Sequence, residues 1–274
     1  MICIRSGGPV SARSALPVIA VATAVVVLAG CSSTKSDGKK GSGGLELVSS
    51  GTLKTCTHLP YAPFQVKKDG KVVGFDVDLV DLVAKDLGVK QEIVNTPFEG
   101  IETGQDFTIR KCDLAAAGMT ITAARDKVMD FSDPYFNATQ ALLTKKGKPV
   151  KKVEDLKGKK LGYQKATTGG IYAKDHGKGV ELVEFEDLGL LLTAVKSGQV
   201  DAGINDNGVL FDYVKQNPDT KVTAEFNTGE HYGIGVRTGN DALRKKINAV
   251  LKKAKSDGSY DRIYKKWFGT TPQS

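Results

Sequence analysis

The sequence predicts an α/β protein of two doubly wound lobes, and three observations point there. Apolar runs of strand length alternate with segments of helical period, as in βα units around a mainly parallel sheet. The alternation occurs as two series, separated by a lysine-rich, loop-like stretch around Lys145. In both series the strands run into loops rich in Gly, Pro and Thr, at the carboxyl ends where open α/β sheets hold ligands.

The first series opens with a strand over 53–57 and a proline-broken loop over 58–64. A hairpin follows, 64–66 and 72–73 about a Lys68-Asp69-Gly70 turn. Apolar residues at Val77, Leu79, Val80, Val83, Ala84 and Leu87 predict an amphipathic helix over 76–87, stopped by Gly88. A strand over 90–94 leads into the Phe98-Glu99-Gly100 loop, and a weakly patterned helix is assigned to 101–111. Residues 114–117 (LAAA) read as a strand buried on both faces and ended by Gly118. Thr120 and Thr122 are placed to cap a helix starting near Ala123, with Arg125 in its first turn. A cation beside unpaired helix N–H groups suits a small anion. The alternative for Arg125 is a surface residue paired with Asp126, Asp130 or Asp133. A strand over 138–144 closes the series.

The second series reads as a short helix at 153–156, a strand at 160–163, a loop over 164–170 and a helix through Tyr172. Strands at 180–185 and 200–204 alternate with helices at 188–197, stopped by Gly198, and 209–216, stopped at Asn217-Pro218. A late strand over 232–236 and helices at 241–256 and 260–267 end the chain.

The amino terminus predicts export. Arg5 and Arg13 precede a 15-residue apolar stretch, 15–29, too short for a spanning helix, and then Leu28-Ala29-Gly30-Cys31. Residues 1–30 are therefore read as a signal peptide, the alternative being an uncleaved membrane anchor, and either places the body outside the cytoplasm. Residues 32–44 hold only Ser, Thr, Lys, Asp and Gly, a tether of 13 residues with a reach on the order of 20 Å. The formal net charge is +8. Removing Arg5 and Arg13 leaves a mature charge of 8 − 2 = +6, with lysines scattered and no aromatic-interleaved basic stripe, which argues against nucleic acid as a partner. After Cys3 and Cys31, Cys56 and Cys112 remain as an even pair in an oxidising compartment, either a disulfide or two small buried residues.

Catalytic signatures are missing. There is no G-x-S-x-G, G-x-G-x-x-G or P-loop, and His58, His176 and His231 lack ligand spacing for a metal. Neither a catalytic residue nor a cofactor is assigned, so binding is favoured over catalysis.

Specific motifs then occur in order: Gly51-Thr52-Leu53, YAPF at 61–64, GFDVDL at 74–79, AGMTIT at 117–122, Arg125, DFSDPY at 130–135, DLKGK at 155–159, VDA at 200–202 and GSYDRIYKKWFG at 258–269. The set resembles family 3 of the extracellular solute-binding proteins, the polar amino-acid binders that feed ABC importers, and the tail is similar to that of the glutamine-binding members. Leu28-Ala29-Gly30-Cys31 likewise resembles a bacterial lipobox, which implies lipidation of Cys31 and a place on the outer face of the cytoplasmic membrane. The resemblance implies a type II periplasmic-binding-protein fold, two lobes joined by two hinge strands. One lobe would be 45–144 with 235–274, the other 145–234. It implies a monomer that holds an L-amino acid and meets the transmembrane subunits of an ABC permease.

By the same resemblance, Arg125 grips the ligand's α-carboxylate, with help from the Thr120 hydroxyl and the Thr168 backbone N–H. Asp206 and the Gly118 carbonyl take the α-ammonium, and Tyr61 and Phe98 sandwich the carbon chain. The plainer alternatives are core aromatics for Tyr61 and Phe98, a helix cap for Asp206 and a turn residue for Thr168. His58 stands where many members have aspartate, which argues against a basic ligand. Gln164 and Asn205 stand where glutamine binders have lysine and histidine. A neutral polar or acidic amino acid is favoured. The rival readings are an enzyme on the same scaffold, such as a cyclohexadienyl dehydratase with Glu99 or His58 facing the cleft, and a detached sensor domain.

Overall fold

In a computed structural model, which describes residues 45–148 and 150–272, the two βα series form two five-stranded sheets. Residues 1–44, on which the expected signal peptide, Cys31 and the expected tether fall, lie outside the described residues.

In chain order the first part holds β1 (Thr52–Thr57), the hairpin β2 (Val66–Lys68) and β3 (Lys71–Val73), α1 (Phe75–Leu87) and β4 (Lys90–Asn95). Then come α2 (Phe98–Glu102), α3 (Gln105–Thr108), β5 (Leu114–Ala115) and β6 (Met129–Phe131). The second part holds β7 (Phe136–Lys145), β8 (Lys160–Gln164), α4 (Thr168–His176), β9 (Glu181–Phe185), α5 (Leu188–Ser197), β10 (Ala202–Asp206), α6 (Asn207–Gln216) and β11 (Thr220–Tyr232). The chain ends with β12 (Gly235–Arg237), α7 (Asp241–Ser256) and α8 (Ser259–Phe268). The first sheet has the order β4-β1-β5-β12-β6 and the second β11-β7-β10-β8-β9. β1 runs parallel to β4 and β5, and β8 parallel to β9 and β10, as the βα alternation requires.

The chain passes between the sheets twice, from β6 to β7 and from β11 to β12. The two crossings lie side by side: Tyr135 donates its backbone N–H to Tyr232 O at 3.0 Å, and Ser132 donates to Ile234 O at 2.9 Å. An aromatic cluster sits under them. Phe64 lies 4.9 Å from Phe136, 5.2 Å from Tyr232 and 5.5 Å from Phe268, ring centre to ring centre. The carboxyl-terminal helix α8 therefore closes the crossing from beneath and fixes the loop that carries Tyr61. Cys56 in β1 and Cys112 just before β5 form a disulfide, their Cα atoms 5.6 Å apart on neighbouring strands.

Four expectations are corrected. The strand 138–144, assigned to the end of the first lobe, hydrogen-bonds in the second sheet between β10 and β11. Its buried run Ala141-Leu142-Leu143 is what a central strand requires, but an apolar run does not name its sheet. The helix near Ala123 is a single 3₁₀ turn, Arg125–Lys127, because the chain must enter β6 at Met129. A turn that short offers no helix dipole, so the anion argument rests on Arg125 itself. The helix assigned to 101–111 is two pieces broken at Gly104, which sits at φ 74°. The late strand expected over 232–236 is divided, β11 ending at Tyr232 and β12 starting at Gly235, and the rest of the 13-residue β11, before Tyr232, is hidden in the sequence because its burial alternates irregularly across two register shifts.

Candidate functional site

Asp206 ends β10 and starts α6, yet its carboxylate makes no capping hydrogen bond. It turns into the protein, where Tyr61 donates to Oδ2 at 2.8 Å, Tyr232 donates to the same oxygen, and the Gln140 amide donates to Oδ1. Burial, then the nearby charge of Glu230, pushes the Asp206 carboxyl up to about 6, and the three donors pull it part of the way back. Tyr61 and Tyr232 are raised well above the usual phenol range by burial and by Asp206, so both keep their protons as donors. The result is an acidic centre reached by side chains from both halves of the molecule.

Arg125 is the opposite pole, 4% exposed. The Thr122 hydroxyl accepts its backbone N–H at 3.2 Å and sets the turn. Its guanidinium donates to Thr120 O at 2.8 Å and, across the cleft, to Ala166 O at 2.9 Å. Nε lies 3.6 Å from Glu102, and the guanidinium stacks 5.2 Å from the Phe98 ring centre. The expected alternative partners Asp126, Asp130 and Asp133 are not the ones used. Burial lowers the Arg125 pKa from its usual value, while Glu102, Asp206 and Glu230 hold it up. Two of five N–H donors are spent on carbonyls and one faces Glu102, which leaves a pair on a rigid fork.

Sequence reasoning passed over Glu230. It accepts from Thr120 Oγ1 at 2.8 Å, Thr168 Oγ1 at 2.7 Å, Thr228 Oγ1 at 2.8 Å and the Gln140 amide at 3.1 Å. Thr120 and Thr168 reach the same carboxylate oxygen, so their hydroxyls lie within 2.8 + 2.7 = 5.5 Å of each other. The Thr120 hydroxyl is thus engaged by the protein's own carboxylate. The backbone N–H groups of Thr120 and Thr168 have no partner among the described residues. The one sequence signal was spacing: Glu230 stands two residues before Tyr232 on a strand, hence on its face.

The remaining assigned residues converge here. Gly118, at φ 56°, has Tyr61 against it: a Cβ there would meet Tyr61 Cε1 at 2.6 Å. Its N–H donates to Asp76 at 2.7 Å, another buried carboxylate that the sequence showed only as a helix start. Burial raises Asp76 to about 7 against the hydrogen bonds from Gly118 and Tyr135. Asn205 Oδ1 lies 2.9 Å from the Tyr61 hydroxyl, whose one proton goes to Asp206, and its amide donates to Gln164 Oε1 at 3.2 Å. His58 Nδ1 donates to Thr96 O at 2.8 Å. His58, Tyr61, Phe98 and Gln164 line one pocket. Glu99 lies at the rim instead, paired with Lys165 at 2.8 Å and with its side chain 56% exposed.

Bacterial extracellular solute-binding proteins, family 3, match residues 53–270. The chain belongs to that family. It is 37% identical over 268 residues to the ABC transporter glutamine-binding protein GlnH of Bacillus subtilis, covering 91% of this chain and 94% of that protein. Among solved structures it is similar to an ancestral arginine-binding protein bound to arginine, at 47% identity and TM-score 0.76, over 80% of this chain and 98% of that one. The ancestral protein bound to glutamine matches at 47% identity and TM-score 0.77, over 81% and 99%. Family membership makes this a solute-binding protein rather than an enzyme, on the type II fold with two α/β lobes. The family is extracellular, and no helix among the described residues is long and apolar enough to cross a membrane.

Proposed function

We propose that this protein captures an L-amino acid between its lobes and delivers it to the transmembrane subunits of an ABC importer. One observation carries the reading: a buried guanidinium with spare donors and a buried carboxylate stand in one cleft, at Arg125 and Asp206. A zwitterion satisfies both. Its carboxylate meets Arg125 and the free N–H groups of Thr120 and Thr168, and its ammonium relieves the repulsion between Asp206 and Glu230. Tyr61 and Phe98 flank its carbon chain.

Closure follows from the same contacts. Arg125 to Ala166, Tyr61 to Asp206 and Lys165 to Glu99 each join the two parts, so a ligand that adds bonds to both favours the closed state. The lobes are taken as 45–135 with 235–272 and as 136–234, with the crossings as the hinge; the earlier boundary at 144 shifts because β7 pairs in the second sheet. Lipid on Cys31 tethers the monomer to the outer face of the membrane. Relatives that bind glutamine and arginine support the amino-acid class and leave its side chain open.

Calorimetry of the mature protein against the twenty L-amino acids, with the N-acetyl and methyl-ester forms of each binder, tests this reading. Saturable binding abolished by either blocking group is expected. Equal binding of blocked and free forms, or no binding by any amino acid, removes it.

A further inference from the structure

The folded body carries its charge unevenly. Of the mature charge of +6, the tether takes 3 − 1 = +2, from Lys35, Lys39, Lys40 and Asp37, which leaves 6 − 2 = +4 for residues 45–274. Residues 145–160 alone hold eight lysines and two acids, 8 − 2 = +6, so the rest of the body sums to 4 − 6 = −2. The fold sets this excess at one end of the second sheet. β8 and β10 run parallel toward the cleft and finish at Gln164 and Asp206. Residues 145–160 join the end of β7 to the start of β8 and so cross the opposite end, where Lys145 pairs with Thr220 and Lys160 with Glu181 in strand register. Lys178, Lys196 and Lys221 reach the same end and are balanced there by Glu181, Asp201 and Asp219, so the excess of six is kept. Seven of the eight lysines are exposed. Lys148 meets Asp201 at 2.9 Å and Lys160 meets Glu181 at 3.2 Å, while the other six have no carboxylate partner among the described residues. The segment's own acids are turned elsewhere: Glu154 lies 3.9 Å from His176, and Asp155 accepts the backbone N–H groups of Lys151 and Lys152 at 3.0 and 3.3 Å.

We propose that this end of the second lobe is a docking face for an anionic phospholipid surface. The residue type describes the partner. Every cation in 145–160 is a lysine, a mobile point charge, and none is an arginine, whose planar fork would suit one anion of fixed geometry. The segment holds no aromatic residue on which a base could stack, which sets nucleic acid aside. Clustered lysines of this number suit a diffuse layer of phosphate headgroups, each contributing through the surface potential rather than through a built site. The choice of a membrane among polyanions rests on the lipid tether proposed above, which keeps the body beside one. Docking by this end leaves the cleft clear of the lipid, because Gln164 and Asp206 lie at the other end of the same strands. The body can therefore be held at the bilayer while its ligand site stays open to solution.

Co-sedimentation with lipid vesicles tests this, using the mature chain with Cys31→Ser so that no lipid is attached. Vesicles of phosphatidylcholine and phosphatidylglycerol in equal parts are expected to bind it at least about tenfold more tightly than phosphatidylcholine alone, and salt near about 0.5 M should remove the difference. Changing Lys151, Lys152, Lys157 and Lys159 to Gln is expected to weaken binding at least about 100-fold, at about fivefold for each lysine near the surface. Changing the exposed Lys67, Lys68, Lys71 and Lys90 of the first lobe to Gln removes the same charge and should cost less than about tenfold. Both variants keep only surface changes and should melt like the parent. Equal losses in the two variants overturn the inference, since net charge alone would then explain the binding. So does equal binding to charged and neutral vesicles, or binding to neither. Tighter binding to double-stranded DNA than to the charged vesicles also overturns it and assigns the face to another polyanion. Mass spectrometry of the exported protein reads the lipid on Cys31 separately: a bare Cys31 beside charge-dependent vesicle binding removes the tether reading and leaves the docking face standing.

Discussion

Arg125→Ala is the most direct perturbation of the site. The side chain is 4% exposed and joins Thr120 O to Ala166 O at 2.8 and 2.9 Å, so its removal takes away a buried cation and a bond across the cleft. Removing one partner of a buried, hydrogen-bonded charge pair costs about 2–5 kcal/mol, most of it from the charge left behind. At 1.4 kcal/mol per decade, that is about 30-fold to a few thousand-fold in Kd. The bond to Glu102 contributes little to this: at 3.6 Å and with Glu102 28% exposed, water replaces it. Glu102→Gln is therefore expected to change Kd by less than about threefold. Calorimetry with an L-amino acid that the parent binds isolates the carboxylate, since its methyl ester is expected to bind neither parent nor variant. Arg125→Lys keeps the charge but loses the planar fork, and should fall nearer the alanine variant than the parent. A Kd within about threefold of the parent, in an Arg125→Ala protein that melts normally, would refute the reasoning.

Other measurements probe the same framework. Asp206 is raised to about 6 without ligand, and a bound ammonium lowers it, so binding below pH 6 must first expel a proton. Affinity should be full above that value and fall by up to about tenfold per unit as pH drops through 6; a Kd constant from pH 7.5 to 5 would contradict the role given to Asp206. Gly118→Ala forces a positive-φ alanine into Tyr61 at 2.6 Å, with an expected loss of about 1–3 kcal/mol in urea unfolding and weaker ligand binding. A Gly118→Ala variant as stable and as tight as the parent would show that Tyr61 need not hold its place. The Cys56–Cys112 bond spans a sequence separation of 56, which the chain-entropy model values at about 4 kcal/mol. The double alanine variant should lose about 2–4 kcal/mol of stability, and an unchanged urea midpoint would count against that value.

The helices were the most legible part of the fold, because a 3.6-residue apolar period and glycine stops are local. The sequence placed 188–197 and 241–256 at their observed bounds, and 76–87 within one residue. Arg125 was legible because a cation after a buried strand and a glycine is an unusual arrangement. Asp206 was reached only through family motifs, since its place at a helix start reads equally as a cap. Glu230, Asp76 and Gln65 were not singled out. A lone Glu in TGEHY, an acid opening an amphipathic helix and a Gln after YAPF look like solvated residues until distant segments bury Asp76 and Gln65 and bring the hydroxyls of Thr120 and Thr168 to Glu230.

By itself, then, the sequence determined the α/β class, the double series of units and the polar residue types brought to the cleft, all of which depend on spacing along the chain. Only the tertiary structure decided that β7 joins the second sheet and that Glu230 takes the hydroxyls of Thr120 and Thr168. The physical reason is that strand pairing and the burial of a polar atom depend on distant partners, 41 residues away for Gln164 and Asn205 and 110 for Thr120 and Glu230, and periodicity within a segment carries no record of them.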